Sequence, residues 1–453
     1  MCPVCGGYVA LMTMLICDHT EGFLRVCYYL NWTAQRASPF SKFDTSDIDT
    51  TLCTHLVYAF GEIDTSQKTL SISSSTDYRH LNELKTKNPE LKTLLSLGGD
   101  TDRGEGFLNV SQTDTSADTF ATNTVGILRI LGFDGLDIYW IHKTASENYL
   151  RLLRSIRRAF DVDPGSPRLL LTINILALRN ELAEAPIIQE ISKEYIDYAI
   201  LMTFDFVSSF YDQLTHYDSP LYAIEGANFN KEHSTEWAVS FYRSLGLPLH
   251  KTIIAVRGAG KWQVLQDTSL TDLGSPTKTE PYGTFFKVSP EYMLPGAIVY
   301  PEICRFMLSN VSTVRVFDEK HKAVYLVSGE NWISYEDTDT IREKVTWARK
   351  NGLAGFMFWS LDQDDFSGTG CEQGRYPLLS TVKKVMEASD LSPDNLDTTS
   401  RDSVKTTHTV APTKPPGALT TATFDNCETL CTAAAANIAS FATVDVIRNS
   451  RRK

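Results

Sequence analysis

The sequence predicts an α/β protein, a (β/α)8 TIM barrel with a small α+β insertion between its seventh and eighth strands. Two observations predict it. Eight short apolar, β-branched runs recur between Phe23 and Ser360, and helix-like stretches lie between them. Runs that are apolar on both faces read as parallel strands covered on either side, and eight of them alternating with helices suit a closed barrel.

The strands are expected at Leu24–Leu30, His55–Phe60, Leu91–Leu97, Gly135–Trp140, Leu169–Ile175, Tyr198–Phe204, Thr252–Val256 and Leu353–Trp359. Between Tyr149 and Phe160 the apolar residues Leu150, Leu153, Ile156 and Phe160 follow helical spacing. Ile187–Glu194, Thr235–Ser244 and Thr338–Asn351 read the same way. The stretch from Val256 to Leu353 is much longer than the other connections. An insertion is therefore expected at about 262–337, with strand-like pieces at Val314–Phe317 and Ala323–Val327.

The two ends differ from this middle. Tyr8 to Cys17 is apolar but too short to cross a bilayer, which suits the core of a signal peptide over 1–20 and an extracellular, secreted protein. Residues 21–388 are assigned to the barrel. Residues 389–424 are rich in Thr, Ser, Pro and Asp, include Ala411-Pro412-Thr413-Lys414-Pro415-Pro416, and read as a linker or O-glycosylated stalk. Residues 425–453 hold Cys427 and Cys431 and read as a disordered tail or a truncated module.

Composition narrows the partners. With 43 Lys+Arg against 55 Asp+Glu, the net charge is −12, which argues against nucleic acid, because phosphate binding needs clustered cations. No apolar run is long enough for a membrane span, so no membrane is expected as a partner. No Cys/His spacing suggests a metal site, and no phosphate-binding glycine fingerprint is present, so neither metal nor cofactor is expected. Of nine cysteines, Cys2, Cys5 and Cys17 fall within or beside the signal segment, leaving Cys27, Cys53, Cys304, Cys371, Cys427 and Cys431. The sequons at Asn31, Asn109 and Asn310 are glycosylation acceptors, Asn31 the least suited because it ends a strand.

A barrel of this kind carries its chemistry at the C-terminal ends of its strands. Strand four reads Phe133-Asp134-Gly135-Leu136-Asp137-Ile138-Tyr139-Trp140-Ile141-His142. It resembles the Asp-Gly-x-Asp-x-Asp-x-Glu signature of glycoside hydrolase family 18, the chitinases and chitinase-like lectins. Cys27-Tyr28-Tyr29-Leu30-Asn31-Trp32, Leu52 to Phe60, Ser96-Leu97-Gly98-Gly99, Met202-Thr203-Phe204-Asp205, Trp332 to Asp337 and Gly355 to Asp362 resemble further segments of the family in order. The resemblance implies a substrate-assisted reaction, in which a Glu protonates the glycosidic oxygen and the substrate's own acetamide attacks the anomeric carbon. The middle Asp and a sixth-strand Tyr-Asp pair hold that acetamide.

This chain departs from the pattern where the chemistry lies. The acid position is Ile141, which has no proton to give, and the middle Asp position is Tyr139. The sixth-strand Tyr is Phe204, Asp100 stands where an aromatic commonly follows Gly-Gly, and Arg257-Gly258-Ala259-Gly260-Lys261 replaces Pro-Phe-Tyr-Gly-Arg. Loss of the general acid alone costs roughly 10²–10⁴-fold. No catalytic residue is therefore intact; Asp134 and Asp137 survive in a degenerate motif with Tyr139 and Ile141. His142 lies on the opposite face of the strand from Ile141, and Glu147 reads as a first-turn helix residue beside the dipole.

The resemblance places the binding candidates at Trp32, Tyr139, Met202, Asp205 and Trp359, with chitin or chito-oligosaccharide as the implied partner. For the two tryptophans the alternative is core packing. Asp205 either accepts from an acetamide or hydroxyl or pairs with Arg257 or Lys261, and Tyr139 either lines the cleft or fills it. The resemblance also implies the disulfides Cys27–Cys53 and Cys304–Cys371. Three functions stay open: a secreted chitinase-like protein without hydrolase activity that binds chitin oligosaccharides or acts as a scaffold, an active glycosidase with its acid relocated to Asp100, Asp137 or Asp205, and a relic that neither cleaves nor binds.

Overall fold

The computed structural model describes residues 22–72, 76–99, 104–140, 146–179, 184–207, 213–278, 289–292 and 294–388. The expected signal, linker and tail, together with Asp100, Ile141 and His142, lie outside the described residues. Eight strands form the barrel: Leu24–Leu30, His55–Asp64, Lys92–Gly98, Gly135–Tyr139, Leu170–Leu176, Tyr198–Met202, Thr252–Arg257 and Gly355–Trp359. Each runs parallel to its neighbours, and the eighth pairs with the first, Gly355 opposite Leu24, so the sheet closes as expected.

Strand alternation sorts the side chains into two layers. From strand one, Leu24, Val26, Tyr28 and Leu30 fill the interior together with Val57, Leu94, Ile200, Ile253 and Met357. Cys27, Tyr29, Leu136, Ile138 and Trp140 face outward into the core beneath the helices. Helix Ser146–Val162 supplies buried Leu152, Leu153, Ile156 and Phe160 to that outer layer. Helix Thr235–Ser244 starts where the Ser234 hydroxyl accepts from the Trp237 N–H, and helix Thr338–Lys350 where Asp337 accepts from the Asp339 and Thr340 N–H groups.

Several boundaries differ from the sequence expectation. Strand six stops at Met202 rather than Phe204, because the Thr203 hydroxyl takes over the pairing with strand seven. It donates to the Ala255 carbonyl at 2.6 Å and accepts from the Ala255 N–H at 3.1 Å. Strand four stops at Tyr139, and Trp140 turns into the outer core. The stretch read as helix Ile187–Glu194 is an α-helix over Ala185–Glu190 that widens into a π-helical turn, Ile191–Tyr195. A short strand, Thr69–Ser71, pairs antiparallel with the end of strand two.

The insertion is a five-stranded antiparallel sheet in the order Ala297–Val299, Ala259–Val264, Asn331–Tyr335, Ala323–Ser328, Val314–Asp318, with helix Tyr300–Ser309. Its first strand begins at Ala259, directly after strand seven, rather than near 262. Cys27 is bonded to Cys53, tying strand one to the entry of strand two, and Cys304 to Cys371, tying the insertion helix to the loop after strand eight.

Candidate functional site

The site is built from strands one to five and strand eight. Asp137 is fully buried and accepts from Tyr28 Oη at 2.7 Å, Ser96 Oγ at 2.6 Å, Thr172 Oγ1 at 2.6 Å and Asn174 Nδ2 at 2.9 Å. All four donors are neutral. Burial pushes the Asp137 carboxyl above its usual range, and the hydrogen bonds work against that rise. The same contact raises the Tyr28 phenol well above its ordinary value, with burial the larger cause. A carboxyl saturated in this way, with no exposed face, holds strands together and cannot reach a ligand.

One step toward the mouth, Tyr139 points the same way as Asp137 and is half-buried. Its ring lies 5.8 Å from Trp359 and 5.4 Å from Phe60, centroid to centroid. Trp359 also packs on Tyr28 at 5.0 Å, and Phe60 stacks on Trp32 at 6.2 Å with the planes 22° apart. Trp32 is 41% exposed. Trp32, Phe60, Tyr139 and Trp359 thus form a continuous aromatic strip across the barrel mouth, underlain by buried Met202 and Phe204. Flat aromatic faces of this kind suit the apolar faces of pyranose rings.

The strip depends on Gly98 and Gly99, at φ +104° and +78°. The Gly99 N–H donates to the Tyr139 carbonyl at 3.0 Å. A Cβ on Gly98 would stand 2.3 Å from that carbonyl oxygen, and one on Gly99 would stand 2.7 Å from the Phe60 ring. The Gly-Gly pair therefore lets strand three close against Tyr139 and Phe60.

A charged group flanks the strip. Asp205, at φ +58°, accepts from Lys261 Nζ at 2.6 Å and Arg257 Nη1 at 2.9 Å. Asp205 thus pairs with both of the cations that the sequence offered it. Desolvation raises its carboxyl, but Arg257 and Lys261 outweigh that and hold it below the usual range. Arg257 Nε also reaches buried Asp218 at 3.3 Å. Burial pushes Asp218 up to about 6 against the pull of Arg257 and Lys261.

The other sequence candidates fall elsewhere. Asp134 sits at the opposite, N-terminal end of strand four, accepting from the Thr93 N–H at 2.8 Å and Lys85 Nζ at 2.6 Å, so it braces the barrel bottom. Glu147 is exposed in the first turn of its helix. Asn109 is exposed and Asn310 half-buried. Among the described residues no group of three or more His, Cys, Asp or Glu side chains could hold a metal, and no helix is long and apolar enough to cross a membrane. Phe60 and Asp218 carried no sequence assignment. Phe60 was legible as a strand-end aromatic, whereas nothing local to Asp218 signals its pairing with Arg257.

Comparison with known proteins agrees with this architecture. Residues 25–364 match the family described as Glycosyl hydrolases family 18. Human Chitinase-3-like protein 2 is 31% identical over 387 residues, covering 84% of this chain and 96% of that protein. Mouse Chitotriosidase-1 is 31% identical over 400 residues, covering 85% and 83% respectively. Among solved structures, human YKL-39, described as a pseudo-chitinase with retained chitooligosaccharide binding properties, superposes with TM-score 0.72 at 29% identity over 81% of this chain and all of that one. The Group IV chitinase of Ostrinia furnacalis, solved with allosamidin, gives TM-score 0.72 at 28% identity over 80% and 98%. By the family match, the shared barrel and these relatives, the chain belongs to glycoside hydrolase family 18, among its chitinases and chitinase-like proteins.

Proposed function

We propose that the protein is a secreted chitinase-like lectin that binds chito-oligosaccharides at the barrel mouth and does not hydrolyse them. The observation that carries this reading is the fourth strand. Its inward positions hold a carboxyl saturated by four neutral donors and then Tyr139 packed on Trp359, with isoleucine at 141. The relocated-acid alternative needs a carboxyl that can lend a proton to a ligand. Asp137 is sealed from the mouth, and Asp205 is held ionised by two cations, which leaves neither suited to the task; Asp100, the third candidate, lies outside the described residues. In support of binding, Trp32, Phe60, Tyr139 and Trp359 offer stacking surface, and YKL-39 combines a pseudo-chitinase description with chitooligosaccharide binding.

The test has two arms. The purified protein is expected to release no fluorophore from a fluorogenic chitobioside above a mock-expressed control, and to be retained on chitin beads. Hydrolysis above the control would overturn the silent reading. A second reading, a scaffold that binds no glycan, is favoured by one feature, the Tyr139 ring beside Trp359 in the space a sugar would use. Failure of chitin retention with an intact fold would select it.

A further inference from the structure

The insertion carries an apolar patch far in sequence from the strand-end aromatics. Leu308 is 56% exposed, Val311 fully exposed and Val314 57% exposed, all within one short stretch. The chain there is a tight turn: the Asn310 N–H donates to the Met307 carbonyl at 3.4 Å and the Thr313 N–H to the Asn310 carbonyl at 3.0 Å. Val314 opens the outermost strand of the five-stranded sheet, whose other edge carries no strand among the described residues. An apolar cluster beside an open strand edge is an association hazard that soluble proteins cover or blunt.

The sequon Asn310-Val311-Ser312 lies in the middle of this patch. Ser312 is exposed, and its hydroxyl donates to Asn310 Oδ1 at 2.8 Å, polarising the carboxamide. The other acceptors are less well placed in the fold. At Asn31 the fully buried Thr33 hydroxyl donates to the Leu30 and Phe43 carbonyls, each at 2.8 Å. At Asn109 the Ser111 hydroxyl is buried against the Phe107 carbonyl at 2.6 Å.

We propose that Asn310 carries an N-linked glycan whose first N-acetylglucosamine residues lie over Leu308, Val311 and Val314 and shield the edge of the insertion sheet. The donor is a polyprenyl-diphosphate-linked oligosaccharide. A bond forms from Asn310 Nδ2 to the sugar C1 as the C1–O bond to diphosphate breaks. The diphosphate leaves with the bonding pair, and one amide proton passes to a base of the transferase. The amide keeps one N–H, enough for its 2.8 Å bond to Ser328 Oγ. The pyranose faces then meet the exposed isopropyl and isobutyl groups, and the glycan's bulk blocks the open edge. The proposal rests on the secretory reading, so the test uses a heterologous leader that makes its outcome independent of residues 1–20.

The full chain is secreted from a glycosylating cell, and its peptides are mapped by mass. Asn310 is expected to be modified. Trimming with an endoglycosidase that leaves one N-acetylglucosamine should leave binding of a hydrophobic dye low, whereas Ser312→Ala, which removes the sequon, should raise it about twofold and speed aggregation. Ser312→Thr, which keeps the sequon, should match the parent. Adding Leu308→Ser, Val311→Ser and Val314→Ser to Ser312→Ala should return dye binding to the parent level. If Ser312→Ala does not accumulate, complete enzymatic removal of the glycan from the parent replaces it. An unmodified Asn310 overturns the proposal, as does equal dye binding with and without the glycan.

Discussion

Asp137 and Tyr139 stand two residues apart on one strand and face the same way, yet their environments differ sharply. Four neutral hydrogen bonds and complete burial fix Asp137, so its contribution is to the barrel. Tyr139 is half-buried among rings, so its contribution is to whatever enters the mouth. Trp359 is the central member of that group, touching Tyr28, Phe60 and Tyr139. Trp359→Ala is expected to weaken binding of a tetrameric chito-oligosaccharide by about 2 kcal/mol, roughly thirtyfold, by calorimetry. An unchanged affinity would place the sugar elsewhere. Gly98→Ala tests the same wall from behind. A methyl at φ +104° aimed 2.3 Å from the Tyr139 carbonyl must push strand three off strand four, at a cost of roughly 1–3 kcal/mol in urea unfolding. Parity along strand four was legible in the sequence, because alternation is a property of any strand. The aromatic contacts were not, because Trp32, Phe60, Tyr139 and Trp359 come from four separate strand ends and meet only when the barrel closes.

At the scale of elements, the barrel strands were legible because both their faces are apolar, and so were the insertion strands Val314–Asp318 and Ala323–Ser328, whereas the insertion's first strand was not. Ala259–Val264 includes Gly260, Lys261 and Gln263, so neither a continuous apolar run nor a clean alternation marks it. Strand six was read too long because Thr203 looks like any β-branched strand residue, while its hydroxyl ends the ladder. The fourth strand invites a reversal. Tyr139→Asp with Ile141→Glu should return measurable chitobioside hydrolysis, and adding Phe204→Tyr should increase it. No gain from either would mean that the Arg257–Asp205–Lys261 group has closed the acetamide site. The junction of strand seven with the insertion carries a pH dependence. Burial, aided by Asp205 and Glu336, holds Asp218 at about 6, above the usual carboxylate value, against the pull of Arg257 and Lys261. The folded state therefore binds this proton more tightly than the unfolded chain. Its contribution is fully present below the unfolded value and is lost as pH rises through 6, roughly 3 kcal/mol for a shift of about two units. Asp218→Asn, fixed neutral, should gain stability relative to the parent between pH 5 and 7.5 in urea titrations. A relative loss over that range would mean that Arg257 holds Asp218 ionised instead.

For the whole molecule, the question is what joins the insertion to the barrel. Strand seven runs into the insertion sheet through Gly258 alone, and the chain returns through Asp337 into helix Thr338–Lys350, which precedes strand eight. Between these passages the Cys304–Cys371 bond links the insertion helix to the loop after strand eight, closing 67 residues of chain. Cys27–Cys53 closes only 26, within the barrel's first turn. Both pairs are buried, so replacing each by alanine leaves similar small voids, and the difference between them isolates loop length. Loop-closure entropy assigns about 4.4 kcal/mol to the longer bridge and about 3.5 kcal/mol to the shorter. Unfolding of the Cys27→Ala/Cys53→Ala chain in urea should stay a single transition, because all eight strands still close on one another. The Cys304→Ala/Cys371→Ala chain loses the disulfide cross-link between the insertion helix and the loop after strand eight, so its insertion should open first. Near-ultraviolet signals from Trp262 and Trp332, both in the insertion sheet, should then fall at lower urea than far-ultraviolet ellipticity. Coincident transitions in that variant would show that the insertion is held by its packing and the Asp205–Arg257–Asp218 contacts alone.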